Sequence, residues 1–327
     1  MTRVLLTDSE RFPFAPGELD ELAETGAVLD LLPGHDPEDI AAMGGSAAGV
    51  LVYSGRFEAG LLARLRECRV LARCGAGYDN IDVRAAAERG IAVTYVPSYG
   101  ADDVAEHAMA LLFACARRLG RSDRSVQAGS WPSYGELGPM RRLSGRTLGL
   151  LGLGRIAREV ASRANGLRLR VIAHDPFVDP AAGRAAGAEL VPARQLFAES
   201  DFLSVHLPLT PDTRHLVDSE AFALMRPSAY LINTSRGAVV DQAALLAALD
   251  AGLIAGAGLD VLEREPPGPG DALLGRPDVI ITPHSAAYTE EALGEVRRTA
   301  LADVVRVLRG QPPHYPVPES ADKAARA

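Results

Sequence analysis

Residues 147–157 read Thr147-Leu-Gly-Leu-Leu-Gly-Leu-Gly-Arg-Ile-Ala157. A short apolar run enters a Gly-x-Gly-x-x-Ala turn, and a helical pattern follows at once, which is the order of a strand, a phosphate-binding turn and a helix. Each small residue has a task in that reading. Gly152 permits the tight turn, Gly154 lets the backbone approach a pyrophosphate, and Ala157 allows close contact between helix and strand. The helix start, around Arg155 and Ile156, offers free N–H groups to phosphates.

In a chain with 32 glycines such a motif is weak alone, and its context strengthens it. The next strand pattern, 169–174, delivers Asp175, where an acidic residue accepts hydrogen bonds from the adenosine ribose hydroxyls. A carboxylate there repels the 2′-phosphate of NADP, so the expected cofactor is NAD. Asp175 can also simply open the turn into Pro176, and the two roles are compatible.

Working outward, short β-branched runs alternate with helical stretches over most of the 327 residues. That is the pattern of parallel β-α-β units, and the length suits about two domains. The expected fold class is α/β with two doubly wound parallel-sheet domains. Strand candidates fall at 4–7, 27–31, 50–53, 70–74 and 91–95 in the first, and at 147–151, 169–174, 202–206, 230–233, 257–261 and 279–282 in the second. A helical pattern over 102–119 leads from one to the other, and periodicity then fades over 124–144, where Trp131 stands. A loop of that length is usually functional or used in assembly. Residues 120–145 are therefore read as an arm at a subunit interface. The last helical pattern, 289–308, has no strand after it and is expected to return to the first domain, making that domain discontinuous. The expected division is 1–100 plus 290–327, substrate-binding, and 101–289, dinucleotide-binding; the tail from Pro316 onward is expected to fray.

Composition limits the partners. A net charge of −8 argues against nucleic acid or a membrane surface, whose binders gather Lys and Arg. Three cysteines, Cys68, Cys74 and Cys115, without CxxC spacing or a His cluster, point to free buried thiols and to no metal. With no signal architecture and no long apolar run, a soluble cytoplasmic protein is expected.

Three strand candidates of the second domain lead into polar residues that have no packing reason to be there: Arg236 after 230–233, Glu263 and Glu265 beyond Asp260, and His284 after 279–282. Carboxyl ends of parallel strands form one rim, and ligands bind outside it. Reducing a 2-oxo acid needs a cation for the carboxylate and carbonyl, and a group that exchanges a proton near neutral pH. Arg236 suits the first task through its planar fork. His284 suits the second, with Glu265 as the carboxylate beside it. Singly, each also fits a cap or a solvated loop residue; together on one rim they form a constellation.

These residues lie in longer motifs: Arg73-Cys-Gly-Ala-Gly-Tyr-Asp-Asn-Ile-Asp82, Val104-Ala-Glu-His107, Leu150-Leu-Gly-Leu-Gly-Arg-Ile156, His206-Leu-Pro-Leu-Thr210, Asn233-Thr-Ser-Arg-Gly237, Gly258-Leu-Asp-Val-Leu-Glu-Arg-Glu-Pro266 and Thr282-Pro-His-Ser285. In that order, over nearly the whole chain, they resemble the D-isomer-specific 2-hydroxyacid dehydrogenase family. The resemblance implies catalytic Arg236, Glu265 and His284, with His284 as proton donor in the reducing direction. It implies that His206, Pro208, Thr213, Thr234 and Asp260 line the nicotinamide side. The amides of Ala76 and Gly77 would hold the substrate carboxylate, with Arg73 adding charge. It further implies a Rossmann NAD-binding domain, a flavodoxin-like discontinuous substrate domain and a homodimer formed through the coenzyme domain.

Val96-Pro-Ser-Tyr-Gly100, Met140-Arg-Arg-Leu-Ser-Gly145 and residues 283–290 look most like the branch of the C-terminal binding proteins, NAD-sensing corepressors, and the phosphoglycerate dehydrogenases. That branch usually has Trp where Ala287 stands. Formate dehydrogenases, another relative, carry Gln at the position of Glu265, which disfavours that activity. Two functions follow as alternatives: an NAD(H)-dependent enzyme interconverting a small anionic 2-oxo acid and its D-2-hydroxy acid, or an NAD(H)-gated binding protein with little turnover.

Overall fold

The computed structural model describes residues 2–15 and 17–318. The chain divides into two units, Met1–Tyr99 with Thr289–Ala327, and Gly100–Tyr288.

The first unit holds five parallel strands, β1 (Arg3–Leu6), β2 (Val28–Leu31), β3 (Gly49–Val52), β4 (Val70–Arg73) and β5 (Ala92–Thr94), in the order β2-β1-β3-β4-β5. Val4, Leu5 and Leu6 face alternate sides, as do Val50, Leu51 and Val52, and each side meets its own apolar cluster. Burial on both faces is why these strands read as unbroken apolar runs rather than as alternating ones. The helix Glu290–Leu308 supplies Val296, Ala300, Leu301 and Val304 to one of those clusters, so the end of the chain completes the first sheet's cover. Thr289 starts it by accepting from the Ala292 N–H, and Glu290 and Glu291 sit at the positive end of its dipole.

Residues 316–318 are not frayed, contrary to the sequence expectation. Pro316 bridges Thr94, the Val317 N–H donates to Val93 O at 2.8 Å, and Val317 is buried. Upstream, buried Asp303 accepts from the amides of His314 and Tyr315 at 2.6 and 3.1 Å. A polar, Ala-rich composition cannot reveal pairing to a distant edge strand. Residues 319–327, the rest of that expected tail, lie outside the described ones.

The second unit holds seven parallel strands, β6 (Thr147–Leu151), β7 (Arg170–His174), β8 (Glu189–Leu190), β9 (Phe202–Val205), β10 (Tyr230–Asn233), β11 (Gly256–Leu259) and β12 (Val279–Ile281), in the order β12-β11-β10-β9-β6-β7-β8. Both sheets are thus doubly wound, the first in flavodoxin-like and the second in Rossmann order. The two-residue edge strand β8 escaped the sequence reading, being too short for any periodicity. The 102–119 pattern is also two helices, Ala101–Ala116 and Leu119–Gln127, because Arg118 reverses the backbone at φ 50°. Residues 124–144 correspondingly contain the end of the second helix and a short helix, Tyr134–Leu137, started by a reciprocal Ser133 and Glu136 cap. Among the described residues no helix is long and apolar enough to cross a membrane, and no cluster of His, Cys, Asp or Glu could hold a metal ion.

Candidate active site at the carboxyl rim of the second sheet

Strand order lays the polar residues out in sequence along one rim. From β12 to β7 the exits carry His284, Asp260, Arg236, His206, Gly152 and Asp175. Neighbouring strands lie ~4.8 Å apart, so these exits span roughly 24 Å. Chain order reverses between β7 and β9 around β6, and such a switch point opens a crevice for a dinucleotide.

Gly152 sits there at φ +93°, and a Cβ on it would come within 2.7 Å of His206 O. No other residue fits this turn. A Cβ on Gly154 would meet nothing within 4 Å, so the backbone lies open to an approaching group. No side chain caps the helix Arg155–Gly166, whose first turn, Arg155 and Ile156, faces the same opening with its dipole's positive end. Asp175 Oδ2 accepts from the Leu153 N–H at 2.9 Å and Oδ1 from the Phe177 N–H at 3.0 Å, tying the acidic residue to the glycine turn. The turn role of Asp175 is thus present in its hydrogen bonds.

Beyond β9, His206 Nε2 pairs with Ser204 Oγ at 2.8 Å, and loss of water pushes the imidazole down to about 4, so it is neutral at pH 7. The Thr213 hydroxyl donates to Pro208 O at 2.6 Å and stiffens that loop. Beyond β10, Asn233 builds the next turn: Oδ1 accepts from the Ser235 N–H at 3.0 Å and Nδ2 donates to Arg236 O at 2.9 Å. This positioning role was missed by the sequence reading, although a buried amide closing a strand was a usable signal. Thr234 Oγ1 is buried with no hydrogen-bond partner among the described residues. Gly237 is needed for a different reason: its Cβ would overlap Leu262 C and O, so only glycine lets the Arg236 turn lie against the Glu265 loop.

Glu265 and His284 meet, as the sequence reading expected. Glu265 Oε2 is 2.7 Å from His284 Nδ1, and Oε1 accepts from the Leu262 N–H at 2.9 Å. The carboxylate is held at both oxygens, so the hydrogen on His284 Nδ1 is directed at it and Nε2 is left for a ligand. His284 itself takes a left-handed backbone, φ 55°, which costs a non-glycine residue energy and needs support from its surroundings. Asp260, 1% exposed, provides it: Oδ1 accepts from the Thr282 hydroxyl and the Ser285 N–H, and Oδ2 from the Ala286 N–H. Arg236 Nη1 donates to Ser235 O at 2.8 Å. The rim therefore gathers a guanidinium, an imidazole held by a carboxylate and a glycine turn on one sheet edge.

Residues 109–286 match the family model described as D-isomer specific 2-hydroxyacid dehydrogenase, NAD binding domain. The chain belongs to the D-isomer-specific 2-hydroxyacid dehydrogenase family. Among its relatives, a glyoxylate reductase of Korarchaeum cryptofilum is 43% identical over 75% of this chain and 74% of its own. A D-3-phosphoglycerate dehydrogenase of Archaeoglobus fulgidus is 36% identical over 92% of this chain but only 57% of its own, so this family member spans little more than half that enzyme's length. A solved glyoxylate reductase from Paecilomyes thermophila superimposes with a TM-score of 0.85 at 30% identity, covering 97% of this chain and 98% of that one. NAD is the cofactor of this dehydrogenase-family chain, and the open Gly154 backbone, the uncapped helix and the unpartnered Thr234 hydroxyl fit such a ligand.

The remaining candidates lie in the first unit. Arg73, closing β4, folds back so that Nη1 donates to Cys74 O and the guanidinium packs against Gly75. Beyond it, no hydrogen bond from the Ala76 or Gly77 amides is seen among the described residues.

Proposed function

We propose that the protein is an NAD(H)-dependent oxidoreductase interconverting a small 2-oxo acid and its D-2-hydroxy acid. The observation that carries this reading is the His284–Glu265 pair at 2.7 Å, with no partner for Nε2 among the described residues, His284 leaving β12 two strands along the rim from the Arg236 turn after β10. Bound NADH supplies the hydride. Arg236 neutralises the substrate carboxylate and polarises the carbonyl. His284 gives the proton on Nε2 to the carbonyl oxygen as the hydroxyl forms, and Glu265 stabilises the imidazolium before transfer and keeps the ring oriented after it. In the reverse direction the neutral ring accepts that proton. Arg73, Ala76 and Gly77 are further candidates for the carboxylate; the open amides of the last two support this, while Arg73 acts on its own loop.

The reading includes a homodimer formed through 120–145, since the helix Leu119–Gln127 buries no residue and Trp131 and Tyr134 are 88% and 71% exposed. It also includes a reducing, cytoplasmic setting, supported by three free buried cysteines whose thiols burial pushes up to about 12. Purified protein with NADH and a panel of glyoxylate, hydroxypyruvate and phosphorylated 2-oxo acids is the test. Oxidation of NADH that His284→Ala reduces by about 100- to 10,000-fold is expected. No turnover by the unaltered protein, with NADH-dependent capture of a partner instead, would replace the enzyme by a coenzyme-gated binding protein.

A further inference from the structure

The Val104-Ala-Glu-His107 motif has no part in the site so far, yet the fold brings it there. His107 lies on the helix Ala101–Ala116, whose neighbours Ala105, Ala108, Met109, Leu111 and Leu112 are buried against the second sheet. Its Nε2 is 2.9 Å from Thr282 Oγ1 and 3.5 Å from Asp260 Oδ1. A carboxylate only accepts, so the Thr282 hydroxyl donates to Asp260 and its oxygen is left as an acceptor. His107 Nε2 therefore carries a hydrogen and donates it to Thr282.

We propose that His107, acting through the Thr282 hydroxyl and Asp260, is a positioning residue for His284. The segment 282–286 is attached almost wholly to residue 260. Thr282 and the amides of Ser285 and Ala286 bind its carboxylate, and the His284 N–H donates to its carbonyl at 2.8 Å. That attachment holds His284 at its positive φ, where an unsupported residue would relax and carry the imidazole away from Glu265. Thr282 is the one side chain in the segment that engages Asp260, and its rotamer places the hydroxyl hydrogen on the carboxylate. Left alone, the hydroxyl could rotate its hydrogen away; a donor fixed behind its oxygen removes that freedom. His107, mounted on a helix rather than a loop, is that donor, and the helix's buried face keeps it in register with β12.

The proposal rests on His284 being the proton donor, and the experiment separates the two. His107→Phe removes one hydrogen bond and Thr282→Val two, the one to Asp260 and the one from His107, both keeping bulk; His107→Gln returns an N–H donor and Thr282→Ser returns the hydroxyl. With NADH and glyoxylate, the first pair is expected to lower kcat by about tenfold to a hundredfold, as misplacing a reacting group does, while the NADH Kd from fluorescence titration stays within about twofold. Gln and Ser are expected to restore most of the rate. Loss that is equal in the rescuing and the non-rescuing variants, or no loss in His107→Phe, overturns the proposal. Where the unaltered protein itself turns over no 2-oxo acid, the functional reading fails instead. The ring NMR signals of His284 then decide: altered by His107→Phe and restored by His107→Gln, or unaltered, which sinks the positioning role.

Discussion

Each sheet ends one strand in a buried aspartate, and the two carboxylates do different work. Asp8, just beyond β1, is 1% exposed and at φ 57°; His35 Nδ1 meets its Oδ1 at 2.6 Å and the Ser54 N–H its Oδ2 at 3.0 Å. It braces the exits of β1, β2 and β3, and the strut ends in a half-exposed histidine. Asp260, equally buried, braces the exits of β11 and β12, and its strut ends in His284 with an unengaged Nε2. The same device ties strand exits together in one unit and, on the proposed function, places the proton donor in the other. What distinguishes them is where each brace ends: Asp8 is itself the partner of His35, whereas Asp260 holds the segment of His284, whose ring meets a second carboxylate, Glu265.

Asp260→Asn sharpens that contrast most. It sets an amide N–H2 against a backbone N–H or the Thr282 hydroxyl, and leaving a buried group unsatisfied costs about 1–3 kcal/mol. Urea unfolding is expected to show that loss, and NADH oxidation a further fall in kcat of about tenfold to a hundredfold. Asp8→Asn is expected to lower stability by a similar ~1–3 kcal/mol while leaving kcat within about twofold. A fall in kcat as large as that of Asp260→Asn would break the comparison. Asp303 is a third buried carboxylate, holding the His314 and Tyr315 amides, and Asp303→Ala should affect stability alone, by about 1–3 kcal/mol in the same assay.

The smallest effect concerns protons. Burial depresses the His206 imidazole from its ordinary 6.5 to about 4, so the unfolded chain binds a proton there that the folded one refuses. Its contribution to stability is present above pH 6.5 and is lost as pH falls towards 4. His206→Gln is expected to flatten the pH dependence of the unfolding free energy in that window, read by denaturant titrations at several pH values.

Much of this architecture was legible because it is written locally. Eleven strands could be placed from short apolar runs, and the glycine turn from three small residues after one of them. Glu265 and His284 were recognisable as partners because the chemistry of hydride reduction demands a held imidazole. Three things were not legible. The edge strand β8 has two residues and no period. The break at Arg118 is a backbone reversal that apolar spacing does not register. The anchoring of residues 314–317 depends on Asp303 and β5, elements that the tail's own composition does not mention.

The residue types at each strand exit, the glycine turn and the choice of Asp175 belong to the chain as written, since they depend on neighbours within a few positions. The tertiary structure alone decided their order along the rim, because strand order is a matter of pairing between segments far apart. It alone also joined His107 to Thr282, 175 positions away, and Asp260 to the loop that carries His284. Hydrogen bonds of that reach leave no period in a sequence; they exist only once helix and sheet have packed.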